Sequence, residues 1–258
     1  MNGPPFPGLP AWVGAALQVA GGAVVFILYR REAARRGFAT EGGIVVAAAA
    51  LVGGIFGALL LHSLAGLLGL REPWESADGW RRVLLLVGSG RSWIGALVGG
   101  YAVVEWTKRR IGLRRRTGDA WALALPLGEA VGRLGCLAAG CCYGSPASVP
   151  WAVTQHGDLR HPAQLYAAAL ALVLWLVLRA LDGRLPREGD LFKVYLAGYA
   201  VTRFGLEFFR DHNGAAGLST AQWACLAGLG WVAWSLRSRS GASPLAVPAR
   251  SDARVRES

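Results

Sequence analysis

Apolar stretches of about 20 residues recur along the chain, separated by shorter segments that carry most of the charge. A helix rises about 1.5 Å per residue, so a stretch of this length crosses the hydrocarbon core of a bilayer. The pattern predicts an all-α polytopic membrane protein with about seven transmembrane helices and a small outer cap. The predicted spans are residues 11–29, 43–68, 93–106, 121–139, 165–178, 191–208 and 221–236.

Basic residues concentrate on one side of this layout. Clusters of arginine and lysine follow the first, third and fifth spans and fill the tail, whereas the loops after the second, fourth and sixth spans hold fewer. Cytoplasmic loops of membrane proteins carry an excess of Lys and Arg. The asymmetry therefore predicts an outside N-terminus and a cytoplasmic C-terminus.

The chain divides into one membrane domain, residues 1–237, and a short tail. Residues 140–164, between the fourth and fifth spans, contain several prolines and other turn-forming residues, which predicts a compact cap at the outer face. Residues 238–258 are rich in Ser, Ala, Pro and Arg and show no apolar period. We expect them to form a disordered cytoplasmic tail.

The composition narrows the class of protein. The 258 residues are 53% hydrophobic and include 36 glycines and 11 tryptophans, which is too apolar for an ordinary soluble domain. The net charge of +11 does not indicate a nucleic-acid partner, because the basic residues punctuate apolar stretches and do not gather on a polar surface. The four cysteines form neither a disulfide framework nor a zinc-ligand spacing, so no metal or other cofactor is predicted.

Residues 132–144, at the end of the fourth span, carry the strongest functional signal. An arginine within a membrane segment is costly and persists where an anionic group offsets that cost, so Arg133 is a candidate ligand-binding residue. Gly132 and Gly135 beside it let the backbone approach a bound group. Arg203 lies at a similar depth in the sixth span. Two guanidinium groups at one depth are suited to hold a phosphate.

Each of these arginines has a glutamate four residues away on the same helical face. Glu129 accompanies Arg133, and Glu207 accompanies Arg203. In a purely structural alternative, each pair only holds helices together. The shared depth of the two pairs favours a ligand site.

Three of the four cysteines, Cys136, Cys141 and Cys142, lie near Arg133 at the predicted outer surface. Four interpretations remain open for them: a disulfide, a metal site, reactive thiols, or a small apolar packing cluster.

Several motifs resemble those of the bacterial prolipoprotein diacylglyceryl transferases. Residues 132–144 resemble the family signature, in which Gly-Arg-x-Gly-Asn-Phe leads to Asn-Gly-Glu and an aromatic-glycine pair. Residues 160–166 read Arg-His-Pro-Ala-Gln-Leu-Tyr, where the family has Arg-His-Pro-Ser-Gln-Leu-Tyr. Residues 150–152 and 199–210 match two further landmarks. The resemblance extends over about residues 12–237 and also implies seven spans with the N-terminus outside.

The resemblance implies an enzyme of the bacterial inner membrane. Family members move the diacylglyceryl group of phosphatidylglycerol onto the thiol of a lipobox cysteine in a preprolipoprotein and release glycerol phosphate. This reaction needs a thiolate and a way to gather negative charge on the departing phosphate. Arg133 and Arg203 would meet the second need, with Glu207 orienting Arg203. His161 and Tyr166, in a matched motif, are expected to shape the outer mouth, and both a hydrogen-bonding and a catalytic role are open for His161.

The chain departs from the family pattern at polar positions. His62 is a candidate base, and Glu129 is a candidate replacement for the family's carboxylate. Where the family has a histidine, two asparagines, a glutamate and an arginine, this chain has Ile94, Cys136, Ala139, Cys141 and Ile55, respectively.

These departures leave two hypotheses. In the first, the chain is a divergent diacylglyceryl transferase. In the second, it is a non-transferase paralogue that keeps the lipid-binding scaffold and uses its cysteines for thiol redox or metal chemistry. A small-solute transporter ranks last, because the sequence shows neither an internal repeat nor a broken polar helix.

Overall fold

The computed structural model describes residues 10, 12–38, 41–67, 93–113, 115–210 and 217–237. Within these residues the chain forms seven helices and one antiparallel β-hairpin. The elements are α1 (Trp12–Arg35), α2 (Glu41–Leu67), α3 (Trp93–Arg110), α4 (Gly118–Ala138), β1 (Val153–Gln155), β2 (Asp158–Arg160), α5 (Ala163–Leu181), α6 (Asp190–Glu207) and α7 (Thr220–Arg237).

Each predicted span coincides with one of these helices, so the mainly helical fold is confirmed. Several helices are longer than their predicted spans, because polar turns continue the helix beyond the apolar stretch; α1, for example, runs to Arg35. Three segments in the described part of the chain are long and apolar enough to cross a membrane: Trp12–Arg35, Gly42–Leu61 and Ala163–Leu181. The count of seven crossings stays a prediction, and the predicted tail 238–258 lies outside the described residues.

Helix α4 is the centre of the bundle, because it packs against α1, α5 and α6. Its first half is lined with small side chains that are fully buried, namely Ala120, Ala122 and Ala124. Ala122 belongs to a cluster that includes Leu178 of α5 and Tyr195 of α6. Small residues at such contacts let helices approach closely, which is how helices associate where surrounding lipid weakens the hydrophobic effect.

Glycines set the distance within two helix pairs. A β-carbon on Gly21 of α1 would lie 2.7 Å from the carbonyl oxygen of Gly128 in α4. A β-carbon on Gly53 of α2 would lie 2.7 Å from the carbonyl oxygen of Gly99 in α3. No real β-carbon contact is this short, so these backbones approach to a distance that only glycine permits.

An acidic side chain joins the starts of α4 and α6. Asp119, in the first turn of α4, accepts hydrogen bonds from the backbone N–H groups of Gly189 at 2.8 Å and Phe192 at 3.1 Å. These two groups belong to the start of α6, where backbone donors have no partner within the helix. The two helices therefore begin at one level and run in the same direction.

At the same end of the bundle, charged side chains join α1 to the end of α5. Arg35 and Arg36 both pair with Asp182. Glu32 also pairs with Arg35, at 2.6 Å. This network lies at the end of the bundle opposite to residues 132–144.

Residues 140–164 were predicted as a cap, and residues 140–162 contain turns and the β1–β2 hairpin, with α5 beginning at Ala163. Val153 pairs with Arg160 and Gln155 with Asp158 across the hairpin. The segment is tied to α6, because the backbone N–H of Ser145 donates to the carbonyl oxygen of Phe209 at 2.9 Å. These strands are only three residues long each and were not predicted.

Candidate functional site

Two adjoining pockets lie among the last turns of α4 and α6 and the first half of α5. Arg133 and Arg203 line both pockets. The two predicted arginines therefore come together at shared pockets, and their role in binding a ligand stays a prediction. The first pocket is lined by Glu129, Arg133, Ala167, Ala171, Leu174, Tyr199, Thr202, Arg203 and Leu206. The second is lined by Arg133, Cys142, Ala163, Ala167, Arg203, Leu206 and Arg210.

Both arginines are paired with the glutamates that the spacing predicts. Arg133 donates from Nη2 to Glu129 Oε1 at 3.0 Å and from Nε to the same oxygen at 3.3 Å. Arg203 donates from Nη1 to Glu207 Oε2. These are i,i+4 pairs within one helix, so each carboxylate holds its guanidinium in one orientation toward the pockets.

The pairs are buried, yet they leave capacity for a ligand. The side chain of Arg133 is 20% exposed and that of Arg203 is 18% exposed. A guanidinium has five N–H donors, and one carboxylate engages only some of them. Arg210 brings a third positive charge to the second pocket. The arrangement therefore presents N–H donors and positive charge to an anion such as a phosphate while both ion pairs stay intact.

Two residues that support the site were not predicted. The Ser219 hydroxyl, just before α7, donates to Glu207 Oε1 at 3.0 Å, on the carboxylate oxygen that Arg203 does not use. Tyr199 lines the first pocket one helical turn before Arg203. The i,i+4 relation between Tyr199 and Arg203 was readable from the sequence, whereas the contact of Ser219 joins two helices and left no local signal.

The three clustered cysteines converge beside the arginines. Their sulfur atoms all lie within 4.8 Å of one another. All three are free, so the disulfide interpretation does not hold for this structure. Cys136 lies in the last turn of α4, and Cys141 and Cys142 follow the helix end. The backbone of Cys142 has φ of 57°, a conformation that non-glycine residues rarely adopt and that is common at functional sites.

Hydrogen bonds fix the backbone that carries these thiols. The N–H of Cys141 donates to the carbonyl oxygen of Cys136 at 3.0 Å. The side-chain amide of Gln164 in α5 donates to the carbonyl oxygen of Cys141 at 2.6 Å and to Gln155 Oε1 at 2.9 Å. Both glutamines are buried. The turn after α4 is therefore held against the hairpin and α5, although the role of these glutamines was not predicted.

The thiols perturb one another. Hydrogen bonds from Cys136 and Cys141 lower the pKa of the Cys142 thiol, and the positive charges of Arg210 and Arg133 act in the same direction. Hydrogen bonds to Cys136 and Cys142 raise the pKa of Cys141. A thiolate is therefore favoured at Cys142, which lines the second pocket.

His161 and Tyr166 form a hydrogen-bonded group at the start of α5. His161 Nδ1 lies 3.1 Å from the Tyr166 hydroxyl oxygen, which accepts a hydrogen bond from Trp151 Nε1 at 2.6 Å. The His161 backbone also bonds to Gly144 and Ser145. Neither His161 nor Tyr166 is among the residues that line the two pockets. These contacts hold the cap on α5, and a catalytic role for His161 stays a prediction.

The remaining predicted site residues have different surroundings. A β-carbon on Gly135 would lie 2.8 Å from the carbonyl oxygen of Gly14, so Gly135 serves the contact between α4 and α1. A β-carbon on Gly132 would meet nothing within 4 Å, so open space adjoins the helix there. His62 falls within α2, but its side chain lies outside the described part of the chain.

A helical bundle with long apolar segments and two mostly buried arginines at shared pockets defines a class: a helical membrane protein with paired charges inside the bundle. Comparison with known families identifies the family within this class. The family model described as prolipoprotein diacylglyceryl transferase matches residues 11–236. The chain belongs to this family, and the resemblance drawn from its motifs is confirmed.

Individual relatives agree with the family match. The chain is 32% identical over 221 residues to a protein of Geobacter sulfurreducens, covering 80% of each chain. It is 34% identical over 210 residues to one of Bordetella bronchiseptica, covering 74% of this chain and 75% of that one. A protein of Campylobacter hominis is 33% identical over 164 residues, which is 62% of this chain and 58% of that one. All three are named phosphatidylglycerol–prolipoprotein diacylglyceryl transferase. They support the transferase hypothesis, and nothing in them favours the non-transferase paralogue.

Proposed function

We propose that the chain transfers the diacylglyceryl group of phosphatidylglycerol to the lipobox cysteine thiol of a preprolipoprotein. The product is a thioether at the outer face of the bacterial inner membrane. The observation that carries this proposal is the convergence of Arg133 and Arg203, from separate helices, on shared pockets. The names of the relatives supply the substrate class, and the pockets supply a site for its phosphate.

The reaction places its largest charge change where the arginines lie. The thiolate sulfur attacks the glyceryl carbon, the carbon–sulfur bond forms, and the carbon–oxygen bond to phosphate breaks. The bonding electrons stay on the phosphate oxygen, so a monoanionic diester becomes the dianion of glycerol phosphate. Two fixed guanidinium groups attract the departing dianion more strongly than the starting diester, which lowers the barrier.

Each glutamate has a positioning role in this scheme. Glu129 and Glu207 hold Arg133 and Arg203, respectively, in place before lipid binds. Ser219 in turn holds Glu207. Donors that are oriented in advance need no rearrangement in the transition state, and this is the main source of their catalytic effect. The alanines of α5 on the pocket wall, Ala163, Ala167 and Ala171, leave room for the glyceryl backbone.

The topology is part of the same proposal. Seven membrane crossings, with an outside N-terminus and a cytoplasmic C-terminus, place the end of α4 and the cap near the outer leaflet. Asp119 and the Arg35–Asp182 pair then lie on the cytoplasmic side. This orientation places the arginine pockets where a secreted lipobox peptide and a phospholipid headgroup meet.

The decisive experiment is mass spectrometry of a lipobox peptide incubated with the purified full-length chain and phosphatidylglycerol vesicles. The expected result is a mass gain of one diacylglyceryl group. The rate of this transfer is expected to fall by at least about 100-fold in Arg133→Ala and in Arg203→Ala. Arg109→Ala, an exposed arginine of α3, is the matched control and is expected to retain the activity. Unchanged transfer in Arg133→Ala would contradict the proposal.

A further inference from the structure

The proposed reaction needs a thiolate, and the described residues of the pockets contain no obvious base to produce it. Both carboxylates there, Glu129 among the lining residues and Glu207 behind Arg203, are occupied by their arginines. Where the family resemblance leads one to expect polar side chains, this chain has Cys136 and Cys141. Among the described residues, the thiol cluster is the group nearest to the pockets whose role is still unexplained.

The cluster has the geometry of a three-ligand metal site. Zinc–sulfur bonds of about 2.3 Å in a tetrahedron place the sulfur atoms about 3.8 Å apart. The three sulfurs of Cys136, Cys141 and Cys142 lie within 4.8 Å of one another, so each distance needs to shorten by no more than about 1 Å. Rotation about the Cα–Cβ bond moves a cysteine sulfur by this much. The backbone need not move, and the hydrogen bond from Gln164 to the Cys141 carbonyl oxygen holds it in place.

Three thiolates select a thiophilic ion and leave one coordination position open. Soft sulfur ligands in a tetrahedral arrangement favour Zn²⁺ among the common divalent metals. Structural zinc sites have four protein ligands, whereas catalytic sites have three and take water or substrate as the fourth. In the described part of the chain, no fourth His, Cys, Asp or Glu joins this group. The donor set is therefore that of an open site.

The position of the cluster relates it to the lipid site. Cys142 lines the second pocket together with Arg133, Arg203 and Arg210. The cluster therefore adjoins the pocket to which the proposed function assigns the lipid phosphate. The three arginines also offset the negative charge of a zinc ion that carries several thiolates.

We propose that Cys136, Cys141 and Cys142 bind a Zn²⁺ ion whose fourth position takes the lipobox thiol. This inference rests on the proposed transferase function and names how its nucleophile is made. It selects the metal site among the interpretations left open for these cysteines, against the expectation from ligand spacing that the protein has no metal cofactor. That expectation rested on the number of residues between cysteines in the sequence. The three ligands are brought together in space by the end of α4, which carries Cys136, and by the turn after it, which carries Cys141 and Cys142.

The step balances without an oxidant or reductant. The peptide thiol binds Zn²⁺ and loses its proton to water, since a thiol that coordinates zinc is deprotonated. The bound sulfur then attacks the glyceryl carbon, forms the carbon–sulfur bond and breaks the carbon–oxygen bond, whose electrons leave with glycerol phosphate. The thioether product is neutral and a weaker ligand than a thiolate, so it leaves the metal. Zinc stays Zn²⁺ throughout.

The first test measures zinc binding by the full-length chain in detergent. The protein is stripped with a chelator, and Zn²⁺ is titrated against a chromophoric competitor. One equivalent is expected to bind, with affinity lower by about 100-fold or more in Cys136→Ser, Cys141→Ser and Cys142→Ser. Cys225→Ser is the matched control, because Cys225 is buried in α7 and is not one of the three clustered cysteines, and it is expected to bind as the parent does. Equal binding in all four variants would overturn the proposal.

The second test needs neither a variant nor turnover. Co²⁺ in place of Zn²⁺ shows a thiolate-to-metal charge-transfer absorption that grows with the number of bound thiolates. Adding a lipobox peptide is expected to increase this absorption, and adding the same peptide with serine for cysteine is expected to leave it unchanged. No response to the cysteine peptide would exclude substrate coordination.

Lipid transfer then separates this inference from the proposed function. If chelation reduces transfer at least tenfold and Zn²⁺ restores it, the metal serves the reaction. If transfer continues unchanged in fully stripped protein, the zinc inference is wrong and the transferase function stands. If no condition gives transfer but the cobalt absorption responds to the peptide thiol, the thiol site stands and the proposed function fails.

Discussion

Asp119 of helix α4 accepts a hydrogen bond from the backbone N–H of Phe192, 3.1 Å away, in the first turn of helix α6. This contact aligns the starts of two helices that run in the same direction. Counted from it at about 1.5 Å per residue, Arg133 lies about 21 Å along α4 and Arg203 about 17 Å along α6. The difference is within the reach of arginine side chains, so the two guanidinium groups share one pocket.

Removing the Asp119 carboxylate is expected to disturb both stability and the site. Asp119→Ala leaves the first donors of α6 without their partner, which costs about 0.5–2 kcal/mol in comparable helix caps. We expect a lower melting temperature in detergent, measured by tryptophan fluorescence. We also expect slower peptide lipidation. Glu105→Ala is the control, since Glu105 of α3 pairs with Lys108 in its own helix and joins no two helices in the described part of the chain. A normal melting temperature in Asp119→Ala would show that the contact does not align the helices.

The two arginines are expected to act as a unit. Arg133→Lys and Arg203→Lys keep the charge but lose the planar fork, and each is expected to slow transfer by about tenfold. Because both groups bind one phosphate, the double variant is expected to be faster than the product of the single effects predicts. Initial rates of peptide lipidation in a double-mutant cycle measure this coupling. Strictly multiplicative effects would mean that the arginines bind separate groups.

Ser219 and Glu207 are expected to differ in the size of their effects. Ser219→Ala removes one hydrogen bond, worth about 1 kcal/mol, and leaves the Arg203–Glu207 pair intact, so transfer is expected to slow about fivefold. Glu207→Gln removes the charge that holds Arg203 and is expected to slow transfer by a further factor of ten or so. The measurement is the rate at saturating phosphatidylglycerol. The interpretation fails if Ser219→Ala is the more severe variant.

Neighbouring glycines of α1 provide a matched test of packing. A β-carbon on Gly21 would lie 2.7 Å from Gly128 in α4, whereas one on Gly22 would meet nothing within 4 Å. Gly21→Ala is expected to lower the melting temperature and the rate of transfer, because it pushes α1 away from the helix that carries Arg133. Gly22→Ala is expected to leave both unchanged or slightly raise the melting temperature, since alanine is the better helix former. Equal behaviour of the two variants would contradict the close packing of α1 and α4.

Much of the helical layout was predictable because the relevant signals are local. Apolar stretches predicted where each helix lies, and the spacing of four residues predicted the pairs Glu129–Arg133 and Arg203–Glu207. The family was recognisable from short motifs around Arg133 and His161. The β-hairpin was not predicted, because strands of three residues surrounded by turns leave no alternating pattern long enough to detect.

The sequence by itself determined the positions and order of the described helices and the ion pairs that Arg133 and Arg203 make, since these depend on residues within a turn or two of one another. Only the tertiary structure decided that Arg133 and Arg203 line one pocket, that Ser219 supports Glu207, and that three sulfurs meet beside Cys142. The physical reason is that the rotation and register of one helix against another depend on contacts such as Gly21 with Gly128 and Asp119 with Phe192, whose partners lie far apart along the chain.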